Sequence, residues 1–133
     1  MKVKVCGMRE KDNIEAVVAL QPKFIGFIFY DKSARFVGNS LDVEYIRNIS
    51  PQIKKVGVFV NASPGYILDM VKKYDLQYAQ LHGNEMPDMC RSLRQKGVNI
   101  IKAFSIDQNF NFNMLHNYKS YCDMFLFYSE GDK

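Results

Sequence analysis

The sequence predicts a parallel α/β fold, because strand-like and helix-like runs alternate from end to end, as in a sheet built from βα units. The second strand-like run, Phe24 to Phe29, is apolar on both faces, as a strand covered on each side must be. No linker or low-complexity segment interrupts the series, so all 133 residues read as one domain.

Each element follows from local chemistry. Val3 to Cys6 forms a short first strand ended by Gly7, and Asp12 is the expected N-cap of a helix to about Leu20, closed by Pro22. Phe24 to Phe29 is the second strand. A polar loop from Asp31 to Asn39 leads to a helix capped near Ser40 and running to Asn48, with Pro51 beyond it. Lys55 to Val60 is the third strand. Ser63 then caps a helix with Pro64 at its first position, where the missing N–H costs nothing, and Ile67, Leu68 and Val71 give it an apolar stripe to about Tyr74. Gln77 to His82 is the fourth strand, Met86 to Lys96 a helix ended by Gly97, and Val98 to Phe104 the fifth strand. Phe112 to Tyr118 is a weak helix, and Met124 to Tyr128 a sixth strand before the polar tail 129–133.

Composition narrows the function classes. The longest aromatic and aliphatic run, Phe24 to Tyr30, falls far short of the roughly 18 residues of a membrane span, so a soluble chain is expected. Lys2 and Lys4 are not followed by an apolar segment and cleavage site, so the expected location is the cytoplasm. The net charge of +4 is scattered, without the basic stripe of a nucleic-acid binder. Cys6, Cys90 and Cys122 are widely spaced and form no CxxC pair, so they read as free thiols and no metal site is expected.

In parallel β/α folds, ligands gather where loops leave the carboxyl ends of the strands. Cys6 stands at such an end, although a free cysteine also packs well as a small hydrophobe. Arg35 lies in the loop after the second strand; it is either a solvated charge or a planar fork for a carboxylate or phosphate. Alternation puts Gln80 and His82 on one face of the fourth strand and Leu81 on the other.

Several segments together resemble the phosphoribosylanthranilate isomerases of tryptophan biosynthesis. They are KVCGM at Lys4 to Met8, GFIFY at Gly26 to Tyr30 with SARFV at Ser33 to Val37, KVGVFVN at Lys55 to Asn61, and LQYAQLHGNE at Leu76 to Glu85. The resemblance extends through Lys102 and Ala103. It implies a (βα)8 TIM barrel that performs an Amadori rearrangement on a small anionic sugar phosphate without a cofactor or metal. A general acid opens the furanose ring, and a general base takes the C2′ proton of the resulting iminium. It further implies that Cys6 is the base, that Arg35 holds the anthranilate end, and that Gln80 and His82 are the polar pair of strand four.

Two departures stand against that pattern. The family acid is an aspartate at the end of strand six, where this chain has Tyr128. A barrel takes about 200 residues or more, and the sixth candidate strand is the last here, so the final two βα units and their phosphate-cradling glycine loops are not in the 133 residues. The expectation is an incomplete barrel with weak turnover or none, and with exposed edges on strands one and six that a second copy could cover. Two alternatives remain at this level: a non-catalytic flavodoxin-like binding domain, and a subunit that completes a barrel with another polypeptide. The first sits poorly with Gly7, Met8, Arg9 and Asn61, which stand where receiver domains of that shape carry acids.

Overall fold

The computed structural model describes residues 3–38 and 40–129. Asn39, the end of the expected second loop, and residues 130–133 of the expected tail lie outside them.

The strands are β1 (Lys4–Val5), β2 (Phe24–Ile28), β3 (Lys54–Phe59), β4 (Tyr78–Leu81), β5 (Asn99–Ser105) and β6 (Met124–Tyr128). Between them run α1 (Lys11–Ala19), α2 (Val43–Arg47), α3 (Pro64–Tyr74), α4 (Pro87–Gln95) and, after a 3-10 turn at Phe112–Met114, α5 (Leu115–Tyr118). All neighbouring strands pair in parallel, in the order β1-β2-β3-β4-β5-β6. A doubly wound sheet would reverse direction partway through its strand order. The strictly sequential order is that of a half-barrel, and it removes the flavodoxin-like alternative as a fold.

Most predicted boundaries shift by one or two residues, but two caps differ in kind. The N-cap position of α1 is Glu10, and Asp12 lies inside the first turn, where its charge still faces the positive end of the helix dipole. Asp42, not Ser40, caps α2 by accepting from the Tyr45 N–H; the Ser40 hydroxyl is turned back to the Val37 carbonyl. The Ser63-Pro64 start of α3 is as expected, with Ser63 Oγ accepting from Tyr66 N at 3.2 Å. Gly97, at φ +88°, ends the α4 unit in the left-handed region that a residue with a Cβ resists.

The core lies on the outer face of the sheet, between strands and helices. Ile25, Phe27, Phe59, Leu81 and Ile100 pack there with Ile14 of α1, Ile46 of α2, Ile67 of α3 and Leu93 of α4, all of them buried. Each such side chain is worth roughly 1.5–3 kcal/mol of burial. Gly57 on β3 admits this packing, since a Cβ there would come within 2.7 Å of Leu76 Cδ1 and 2.9 Å of the Phe59 ring.

β6 is less well covered than the other strands. Phe127 on its outer face is 43% exposed and Phe112 beside it 57%, while Leu126 on its inner face is also exposed. The aromatic rings of Phe104, Phe110, Phe112, Phe125 and Phe127 pack along this edge, mostly edge to face, with Phe104 and Phe127 stacked. The expected uncovered apolar surface therefore occupies both faces of β6, not only the interior.

Candidate active site

Inner-face positions follow from strand register. Lys4 pairs with Phe24, Val58 with Gln80, Gln80 with Ile101, and Ser105 with Tyr128. Lys4, Gln80, Ile101 and Tyr128 thus share the concave side, with Cys6 two residues beyond Lys4 and His82 two beyond Gln80. Leu81 points the opposite way and is fully buried, as alternation required.

Cys6 is half-buried just beyond β1, and it packs so closely on β2 that a Cβ at Gly26 would lie 2.8 Å from its Sγ. The next residue, Gly7, has φ +78° and lies under Arg35; a Cβ at Gly7 would come within 2.6 Å of Arg35 Nη1. Two glycines therefore make room at the carboxyl ends of β1 and β2, Gly26 for the Cys6 thiol and Gly7 for the Arg35 guanidinium. The Arg35 loop is held by Ser33 Oγ, which accepts from Arg35 N at 3.1 Å, and by Arg9 Nη1, which donates to the Ala34 carbonyl at 3.2 Å.

Across the concave face, the Lys4 ammonium donates to Gln80 Oε1. Gln80 Nε2 lies 3.2 Å from His82 Nδ1, and the His82 ring lies against Tyr128 with 4.5 Å between ring centroids. Gln80, His82 and Tyr128 are thus brought together as one polar group. Burial pushes the His82 pKa below its ordinary value, and Lys102 and Lys4 push it further down against the opposing pull of Glu85. Burial also lowers the Lys4 pKa, while nearby Cys6 acts to raise it. His82, Tyr128 and Ser105 line a cleft of about 550 Å³ at the carboxyl ends of β3 to β6.

The same cleft is also lined by an ion pair that sequence reasoning missed. Lys102 Nζ lies 3.4 Å from Glu85 Oε1, and both residues are buried. Lys102 also donates to the carbonyls of Gly83 (3.0 Å) and Ala103 (2.9 Å). The Glu85 carboxylate accepts from Asn61 N at 2.8 Å and Gly83 N at 2.9 Å, and its main-chain carbonyl accepts from the Tyr118 hydroxyl at 2.7 Å. The pair therefore ties the loop after β3 to the loop after β4. A lysine set within the apolar run Val98 to Phe104 was the available signal. Cys90 and Cys122 are free thiols packed into the core on the helical side, separate from Cys6.

The family model described as N-(5'-phosphoribosyl)anthranilate (PRA) isomerase matches residues 3–133. The chain belongs to that family. Relatives of the same name include proteins from Parabacteroides distasonis, 46% identical over 129 residues, and Phocaeicola vulgatus, 42% identical over 127 residues. Each alignment takes in 96% of this chain but only 58% and 60% of the relative, so the chain spans about three fifths of their length. Among solved structures, a phosphoribosylanthranilate isomerase in complex with reduced 1-(o-carboxyphenylamino)-1-deoxyribulose 5-phosphate superimposes with a TM-score of 0.76 at 30% identity, over 97% of this chain and 65% of that one. The isomerase from Thermus thermophilus superimposes with a TM-score of 0.78 at 27% identity, over 98% of this chain and 63% of that one. These isomerases are (βα)8-type barrels, and the six strands here superimpose on a part of such a barrel. Among the described residues, no helix is long and apolar enough to cross a membrane.

Proposed function

We propose that this chain carries the proton-abstracting and anthranilate-binding part of a site that isomerises N-(5'-phosphoribosyl)anthranilate to 1-(2-carboxyphenylamino)-1-deoxyribulose 5-phosphate. The observation that supports it best is the juxtaposition of Cys6 and Arg35 across Gly7. A planar guanidinium at the same end of the sheet as the thiol suits the substrate carboxylate and orients the sugar toward Cys6.

The reaction divides into two proton transfers. Protonation of the ring oxygen breaks the C1′–O bond, and the anthranilate nitrogen lone pair forms the iminium. Cys6, as thiolate, then takes the C2′ proton; the C–H electrons become a C1′=C2′ bond and the iminium nitrogen recovers its pair. The enolamine tautomerises to the ketose. Tyr128 stands at the acid position, and a phenol with an ordinary pKa near 10 is a far weaker acid than a carboxyl group. Slow ring opening, and hence low turnover, follows from that substitution. The reading treats residues 1–133 as a single partial barrel domain and places it in the cytoplasm, where Cys6 stays reduced. It leaves the exposed β6 edge for a second copy of the chain, which sedimentation measures directly.

Turnover and ligand binding test this together. Purified chain is expected to bind the reduced product analogue, to turn over slowly, to lose turnover in Cys6→Ser, and to gain it in Tyr128→Asp. Rapid turnover by the unaltered chain would overturn the role given to Tyr128. Undiminished turnover in Cys6→Ser would overturn the base assignment.

A further inference from the structure

We infer that Lys4 and Gln80 are positioning residues that hold His82 as a neutral imidazole with Nδ1 accepting and the proton on Nε2, so that the end of β4 presents a hydrogen-bond donor to the cleft. The tautomer stands on the hydrogen-bond chain alone. Its use, to receive an oxygen of the sugar phosphate, rests on the isomerase reading.

Donor and acceptor roles along the chain are fixed from one end. An amide or an imidazole alone can be turned either way. The Lys4 ammonium cannot, because it has three donors and no acceptor, so the Gln80 atom that meets it must be the carbonyl oxygen. That choice aims the Gln80 NH2 at His82 Nδ1, 3.2 Å away. A proton on Nδ1 would set donor against donor in a half-buried place and leave both groups without an acceptor. The neutral ring therefore carries its proton on Nε2, on the side away from Gln80.

The surroundings keep the ring neutral. The titratable groups around His82 are Lys4 from β1, Lys102 from β5, Glu85 from the loop after β4 and Tyr128 from β6. Two of these are cations, and the one carboxylate is already engaged by Lys102 and two backbone N–H groups. From β3, the residue in register with Gln80 is the apolar Val58. Burial and net positive surroundings both oppose a second proton.

Nitrogen-15 NMR of the whole chain tests this without any substrate, so its outcome is independent of the Cys6→Ser result. His116→Gln leaves His82 as the single imidazole, since the chain has two histidines. The expected long-range proton–nitrogen pattern at neutral pH has its unprotonated nitrogen at Nδ1. Gln80→Glu supplies a carboxylate that accepts from both sides, and should move the ring proton to Nδ1. Lys4→Met frees the amide to turn and should give mixed tautomers, whereas Lys4→Arg, still a pure donor, should restore the wild-type pattern. A wild-type ring protonated on Nδ1 overturns the inference, as does an unchanged tautomer in folded Gln80→Glu or Lys4→Met. If the variants do not fold, the wild-type spectrum still decides.

Discussion

Two buried lysines on the outer face of the sheet use the same chemistry at opposite ends of the half-barrel. Lys55 enters β3 at its amino end, is 2% exposed, and donates to the carbonyls of Ile46 (3.1 Å) and Tyr74 (3.2 Å) near the ends of α2 and α3. Lys102 on β5 is equally buried but reaches the carboxyl end, where it meets Glu85 and the carbonyl of Gly83. The first closes two helix C-termini, where unpaired carbonyls and the helix dipole both favour a cation. The second braces loops that shape the cleft beside His82. One cation thus serves stability alone, and the other also braces the cleft at the carboxyl ends of the strands, where ligands gather in parallel β/α folds.

Substitutions at the two ends should separate these roles. The largest effect is expected for Lys102→Met, which strands the buried Glu85 carboxylate at a cost of about 3–5 kcal/mol, read from urea unfolding. Adding Glu85→Gln to it should recover part of that loss. Because Lys102 depresses the His82 pKa, the folded variant should also show a higher His82 midpoint by NMR. The sign for stability follows: a histidine pKa held below 6.5 in the folded state costs stability in acid, and the cost is relieved as pH rises from the folded value toward 6.5. Lys102→Met should narrow that window.

Lys55→Met comes next. It leaves two helix-end carbonyls without a donor, but the nearby Asp75 carboxylate, 3.9 Å away, is largely exposed and remains solvated. A loss of about 1–3 kcal/mol is expected, with the His82 tautomer and analogue binding unchanged. A shift in either would break the separation between the two ends.

Gly7→Ala probes the carboxyl end with a smaller change. At φ +78° the new side chain costs about 1–2 kcal/mol of backbone strain, and its Cβ displaces the Arg35 guanidinium. Calorimetry should show analogue affinity falling by more than the change in stability alone would produce. The smallest effect is expected at the amino end, for Arg94→Ala. Its bridge to Asp123 is 2.8 Å long but partly exposed, and Asp123 keeps its bond from Ile100 N. Denaturant midpoints should place the cost below about 1 kcal/mol, with no effect on the cleft.

The order of elements was legible because hydrophobic pattern and turn residues carry it. Ser63-Pro64 gave one helix start to the residue, since both signals act within a single turn. Asp12 and Ser40 misled, because several polar residues near each helix start can serve and the path of the loop selects among them. Gln80 and His82 share a face, as strand alternation dictates. Their partners were not legible: Lys4 lies 76 positions from Gln80.

The chain by itself thus determined its parallel β/α order, its motifs around Cys6, Arg35, Gln80 and His82, and the tyrosine at position 128, all of which depend on neighbours a few residues apart. Only the tertiary structure decided that the sheet runs sequentially as a half-barrel, that Arg35 lies over Gly7, and that Lys4 orients Gln80 and Lys102 meets Glu85. Those contacts join separate strands and loops, and their identity depends on sheet curvature and register, which no local pattern encodes.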